Sequence, residues 1–412
     1  MSKMNKLTNL LGMAIIGLIF TSCSSDNDDP LTPDLGNGDG AIVSISLNNT
    51  MTKADLPDED GVGDENKIST LDFYVFKSDG SHVQTNSFTT QSTYKFVIST
   101  DAPDLVGMNF LVGINQDEIT SIPADGTAFA YVKSQLSSSE TFENYVKGDN
   151  AKGNTTAVPS LFAMSGWVLN QNVTAPTSGN NSPVTSFTIS VSRLVSKVEN
   201  PVENSSGVDV NVVPAKLEEL FNTGVTDATF ALKGYVLVNG YDKTDAFYTW
   251  TSESDWTGWS RTGKTYLPSL FDTNGAYTSV YAGTSADDMF LSGDKVMYLY
   301  ENQPERDASE PTLYYKKNTV NAFIIKGELK CIGGPDDGTT VTRYWRANLI
   351  PDDNHTVLRN TIYRMSIDGV NTIGYGTPED AEKEVVPQAG NASVNISINV
   401  AKWRVKSTGA IL

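Results

Sequence analysis

The chain has 412 residues, more than one ordinary core holds, so two domains are expected. Apolar residues make up 39%, and the abundance of Gly, Asn, Ser and Thr fits short strands joined by turns better than helical bundles. A formal charge of -19 repels duplexes and anionic membrane surfaces, so no nucleic-acid partner is expected. With Cys23, Cys331, His82 and His355 as its whole stock of those residue types, the chain lacks the material for a thiolate cluster or a His-based catalytic centre.

Lys3 and Lys6 precede an apolar run at residues 10–20, and Thr21 and Ser22 lead into Cys23. The run has the length of a signal-peptide core and is too short to span a bilayer. Ending on a cysteine, residues 1–22 resemble a bacterial lipoprotein signal peptide, which implies acylation of Cys23 as the new N-terminus. The following Ser24-Ser25-Asp26-Asn27-Asp28-Asp29 is similar to the acidic tether that sends lipoproteins to the cell surface in Bacteroidetes. Residues 30–40, rich in Pro, Gly, Asp and Asn, read as a flexible linker.

The first strand is expected at 42–47, where Val43, Ile45 and Leu47 alternate with polar residues. Lys53, followed by Ala54, is the only basic residue between Cys23 and Lys67. Set between a strand and an exposed loop, it is an accessible site for a trypsin-like protease. The acidic segment 55–66 fails as an EF-hand. With Gly61 at the loop glycine, Leu56 takes the first ligand position and Lys67 that of the bidentate Glu.

Further strands are expected at 68–76, 94–98, 109–114, 161–166, 186–191 and 194–198, with a hairpin turn at Ser78-Asp79-Gly80. The continuous apolar run 109–114 reads as buried, and a short helix is expected within 134–147. Residues 54–200 therefore read as an all-β sandwich with Greek-key-like connections. Residues 200–208 read as a domain junction. Beyond it come a brief helix at 215–221, strands at 229–238, 296–300, 318–329, 340–349 and 360–367, and a hairpin tip at 333–338. Residues 248–281 allow two readings: a sugar-binding platform on Trp250, Trp256 and Trp259, or a long loop anchored by those rings. There is no Gly-x-Ser-x-Gly elbow and no phosphate-binding loop, so an enzyme is not expected and no cofactor or metal is implied.

Residues 372–390, rich in Gly, Pro and Glu, read as a flexible hinge before the tail. In the tail, Val394, Ile396, Ile398 and Val400 hold even positions, and the phase moves to odd positions at Trp403 and Val405. That shift predicts a bulge or break at Ala401-Lys402. The tail repeats the pattern of the first strand with nearly the same residue types. Two roles stay open for it: the last strand of its own sandwich, or an arm that completes the sheet of another molecule.

Several segments carry a resemblance to a known family. They are the cysteine at 23, the strand before Lys53-Ala54 with its acidic Gly-Val-Gly-Asp-Glu loop, and the strand at 71–76. Later come Arg193-Leu194-Val195-Ser196-Lys197-Val198, then Leu358-Arg359-Asn360-Thr361-Ile362-Tyr363-Arg364-Met365-Ser366-Ile367, and the closing Val400-Ala401-Lys402-Trp403. In this order they resemble the Bacteroidetes fimbrillins, the major and minor subunits of the type V pilus, over nearly the whole chain. The resemblance implies two transthyretin-like Greek-key β-sandwich domains in tandem, at 54–200 and 201–391, with a lipidated propeptide at 23–53 and a donor strand region at 392–412. It implies a lipoprotein precursor at the outer membrane, cut after Lys53 by a surface trypsin-like protease. The strand bearing Val43, Ile45 and Leu47 would leave, and Val394, Ile396, Ile398, Val400, Trp403 and Val405 of an adjoining subunit would enter. The implied partners are further fimbrial subunits in a head-to-tail polymer, anchor and tip proteins, and a host or bacterial surface receptor. Competing expectations are an anchor or tip role in the same fimbria, or a monomeric glycan-binding surface lipoprotein.

Overall fold

The computed structural model describes residues 40–49, 58–60, 68–89, 93–138, 162–176, 183–241, 244–245, 290, 296–311, 314–349, 357–387 and 391–404. These residues are mostly strand, and they all lie in the compact unit Asn37–Leu412. The fold is all-β.

The first sheet has seven strands. From one edge to the other they are His82–Thr89, Thr70–Phe76, Met108–Ile114, Met164–Gln171, Val184–Arg193, Ala41–Asn49 and Tyr94–Ile98. Every neighbouring pair is antiparallel except Val184–Arg193 with Ala41–Asn49, which run parallel. Thr70–Phe76 and Met108–Ile114 are apolar on both sides because both of their faces are covered. Phe73 points into an aromatic cluster, its ring centroid 5.3 Å from Tyr94, 5.8 Å from Phe96 and 6.0 Å from Phe88. Tyr74 and Phe76 face the other way, into a second cluster with Ala128 and Val132 of the helix Ala128–Gln135. Phe76 meets Phe129 of that helix edge to face at 5.3 Å, a favoured aromatic geometry. The same division explains the uninterrupted run in Met108–Ile114: Phe110, Val112 and Ile114 feed one cluster and Leu111 the other.

The chain changes sheet at Leu194, ahead of the turn-forming stretch 200–208, whose first residues are still strand. The second sheet runs Val296–Tyr300, Val195–Glu203, Thr361–Val370, Val394–Arg404, Asp58–Asp60, and Asp209–Val210 also pairs with Thr361–Val370. A three-stranded antiparallel sheet of Asp227–Val238, Ala322–Ile332 and Thr340–Asn348 lies in the same hydrophobic cluster. Gly327 is required there, because a Cβ at that position would collide with the Phe230 ring and come within 3.0 Å of Trp345 Cζ3. At the change of sheet, buried Arg193 sends Nη1 to Asn360 Oδ1 at 3.1 Å. Buried Glu301 is met there by the Arg359 guanidinium and the Thr244 hydroxyl, both on Oε1, which pair a charge too costly to bury alone.

Several segments differ from the sequence reading. The strand His82–Thr89 was not expected, because an edge strand that is half-exposed throughout carries little apolar alternation. The helix lies at Ala128–Gln135, earlier than the expected 134–147, since its apolar residues follow the sheet face they cover; residues 139–147 lie outside the described residues.

Residues 372–387 are an ordered segment. Trp345 Nε1 and Arg343 donate to the carbonyls of Thr372, Ile373 and Gly374, at distances from 2.6 to 3.1 Å. The helix Pro378–Glu382 is capped by Thr377, whose hydroxyl accepts from the Asp380 N–H. Val386–Pro387 pairs with Tyr314–Tyr315, and Ala381 and Val386 are buried. Buried Arg346 gathers the carbonyls of Glu382 and Lys317 at 3.0 and 2.8 Å, and burial pushes its guanidinium down to about 10. Finally, the last strand runs unbroken through Ala401-Lys402. Its one irregularity lies opposite, where Asp368 is the extra residue of a bulge in Thr361–Val370.

Candidate functional site

The site that the two repeated strands define starts with Ala41–Asn49. It pairs antiparallel with Tyr94–Ile98, from Ala41 opposite Ile98 to Ile45 opposite Tyr94. On its other side it pairs in parallel with Val184–Arg193, from Ile42 opposite Val184 to Asn49 opposite Val191. Period-2 alternation puts Ala41, Val43, Ile45 and Leu47 on one face. Val43 and Ile45 are 0% exposed, and Leu47 is half-buried against the same cluster that holds Phe73, Phe110 and Ile189. Each fully buried aliphatic side chain stabilises by roughly 1.5–3 kcal/mol, an upper figure because unfolded chains already bury some surface.

The strand Tyr94–Ile98 depends on this arrangement. Among the described residues, Ala41–Asn49 is the only strand that pairs with it. A side-chain bond from Gln84 Nε2 to the Val97 carbonyl, 2.8 Å, ties it to His82–Thr89. The first strand therefore bridges a slot one strand wide, with main-chain ladders on both walls.

The last strand sits elsewhere. Val394–Arg404 pairs antiparallel with Thr361–Val370, from Val394 opposite Val370 to Lys402 opposite Thr361. Val394 is 1% exposed, while Ile396 and Ile398 are half-buried against the core. Its root is pinned. Asn391 Oδ1 accepts from the Asn348 N–H at 2.7 Å, the Ser393 carbonyl accepts from the Asn371 N–H at 2.9 Å, and the Ser393 hydroxyl donates to Glu384 Oε2 at 2.7 Å. Burial raises the Glu384 carboxyl above its ordinary range, opposed by the Ser393 bond and by nearby Arg346. On the outer face the Ser397 hydroxyl donates to the Asp368 carboxylate, and Asn371 Nδ2 donates to Asn395 Oδ1 at 2.9 Å. Among the described residues, only the far end has a second neighbour: Asp58–Asp60 runs parallel to it, with Asp58, Glu59 and Asp60 opposite Lys402, Trp403 and Arg404.

Val43, Ile45 and Leu47 thus share one wall of the first sheet, and Val394, Ile396, Ile398, Val400 and Trp403 share one strand of the second. The structure keeps the two sets in separate sheets of one chain. Cys23, Lys53, Ala54 and Val405 lie outside the described residues, as do Trp250, Trp256 and Trp259. Sequence reasoning missed two participants. Tyr94–Ile98 was read as a strand with nothing to say which strand it pairs with. Asp58–Asp60 reads from sequence as part of an acidic loop; its one sequence signal is an all-acidic triplet set against Lys402-Trp403-Arg404.

Three segments that carry the family resemblance are neighbours in space. Val195–Glu203, Thr361–Val370 and Val394–Arg404 lie side by side in one sheet, and Arg193 bonds Asn360. An all-β fold of several sheets, in which the strand Ala41–Asn49 fills a slot in one sheet and Val394–Arg404 lies next to the edge of another, is the class of fold defined here.

Solved structures of similar fold include fimbrial proteins, putative cell adhesion proteins and putative polysaccharide binding proteins of Bacteroidetes. A fimbrilin from Porphyromonas gingivalis W83 matches with a TM-score of 0.50 at 14% identity, over 90% of this chain and 99% of that one. A tip fimbrial protein from Porphyromonas gingivalis, solved with a C-terminal truncation, matches at 0.41 and 14%, over 88% and 99%. The fimbrial anchor protein of that organism matches at 0.33 and 12%, over 89% and 99%. No family model matches the sequence, and no curated protein matches it.

Proposed function

We propose that the chain is a structural subunit of a cell-surface fimbria and not an enzyme. It is exported as a lipoprotein precursor through residues 1–22, anchored at the outer membrane by Cys23, and cut after Lys53 by a surface trypsin-like protease. The strand bearing Val43, Ile45 and Leu47 then leaves its slot. Val394, Ile396, Ile398, Val400, Trp403 and Val405 of an adjoining copy fill it, and the sandwiches at 54–200 and 201–391 form the body of each subunit. Anchor and tip subunits end the polymer, adhesion to a host or bacterial receptor is its output, and the cut site at Lys53 assigns this chain to the shaft.

One observation supports the reading: the first strand bridges a slot one strand wide and is laddered on both sides. The tail offers that slot an aliphatic residue at every second position, as the first strand does. A donor that enters a neighbour's slot makes a head-to-tail contact that does not close, and such contacts generate filaments.

The test is assembly after cutting. Protein cleaved at Lys53 is expected to form SDS-resistant multimers, and deletion of residues 392–412 is expected to abolish them. Cleaved protein that stays strictly monomeric at high concentration would overturn the reading. Saccharide binding lost on Trp256→Ala, without multimers, would favour a monomeric glycan-binding lipoprotein instead.

A further inference from the structure

The outer edge of the last strand is where a second neighbour is least expected. Along 394–401 no described strand covers it, yet at 402–404 Asp58–Asp60 adds a three-residue parallel ladder. An open strand edge is sticky, and proteins cover or charge it. Here the cover stands in register with opposite charge: acidic positions 58 and 60 face basic positions 402 and 404. Opposite charges directly across a ladder stabilise the pairing, and like charges weaken it.

The position of this cover in the chain gives it a role. Asn49 ends the first strand and Asp58 begins the short one, so residues 50–57 join the slot-filling strand to the strand beside the tail. Those eight residues reach at most about 26–29 Å when fully extended. On the other side, residues 61–67 connect the short strand to buried Ile68 at the start of the first sheet. Three residues form too little ladder to hold a place alone, so the short strand depends on being tethered at both ends. The last strand is in turn pinned at its root by Asn391 and Ser393, so its less anchored end is the one where Asp58–Asp60 lies.

We infer that Asp58–Asp60 is a clasp that holds the Lys402–Arg404 end of the last strand in its own sheet while the chain between the first strand and the clasp is intact. Cutting at Lys53 frees one tether of the clasp, so a single cut makes the first strand displaceable and loosens the donor together. This coupling rests on the fimbrial reading; the clasp itself does not.

Hydrogen exchange of the uncut, full-length protein tests it, with amides of Thr70–Phe76 as the internal folding control. In the D58K/D60K variant, amides at 398–404 are expected to exchange about fivefold to tenfold faster than in the parent. The variant K402E/R404E is expected to do the same, and the four substitutions combined are expected to restore protection. Unchanged exchange in D58K/D60K, or no recovery in the combined variant, would overturn the clasp. The two readings fail separately. Exchange that responds as expected in a protein that never multimerises after cutting removes the fimbrial reading and keeps the clasp. Multimers with unresponsive exchange do the reverse.

Discussion

The first and last strands are near-copies in sequence and opposites in setting. Val43 and Ile45 are enclosed between two ladders in the first sheet, with aromatic rings in the core beneath. Ile396 and Ile398 lie half-buried on a strand with one full ladder and a three-residue clasp. Alternation with period 2 specifies a strand with one apolar face; it carries no information on how many neighbours that strand has. The difference also separates the proposed roles. A strand to be displaced must be replaced by an equivalent, because its slot is part of a core, whereas a strand to be donated must be able to leave while uncovering less of one.

The contrast is sharpest where burial is deepest. Ile45→Ala is expected to cost about 2–5 kcal/mol in denaturant unfolding of the uncut chain, and Ile398→Ala about 1 kcal/mol. Equal costs would erase the distinction between the two strands. A hydroxyl placed without a partner in the slot should cost about 1–3 kcal/mol, as in Val43→Thr, and clearly less in the half-exposed Ile396→Thr. The urea midpoints of the two variants decide this. On the outer face of the last strand, Ser397→Ala removes the bond to Asp368 and is expected to cost about 0.5–1.5 kcal/mol, with faster exchange confined to the Val394–Arg404 ladder.

The smallest effect is a pH dependence at the root of the last strand. Burial raises the Glu384 carboxyl, so the folded state holds that proton more tightly than the unfolded state does. Its contribution is fully present below the ordinary value of 4.5 and is lost as pH rises through the raised folded value. Glu384→Gln keeps an acceptor for Ser393 without the charge, and is expected to remove that decline. Parent and variant melting curves that stay parallel across this window would exclude Glu384 as its source.

Much of the fold could be read from the residues. Both repeated strands, the doubly covered run in Met108–Ile114 and the hairpin tip at 333–338 follow from alternation, apolar continuity and turn chemistry. What failed to show was decided by partners distant in sequence. His82–Thr89 is held by main-chain pairing to Thr70–Phe76 and needs few apolar residues. Residues 372–387 are fixed by Arg343, Trp345 and Arg346 reaching their carbonyls, which composition cannot reveal. The site was half legible: alternation identified its two strands, but neither the bridging of Tyr94–Ile98 nor the pairing of Asp58–Asp60 with the tail follows from local pattern. The short motifs around 193, 358 and 400 gain their meaning from adjacency, since they are one patch of the second sheet.

The dependence of Tyr94–Ile98 on a single partner has a kinetic corollary. Vacating the slot would strand two walls at once, so an empty acceptor is a poor resting species. On the proposed fimbrial reading, a clipped subunit should therefore retain its severed peptide until an invading tail displaces it residue by residue. Such material would separate into two pieces in detergent while eluting as one particle in native buffer, and its growth into filaments would be paced by invasion instead of by the protease.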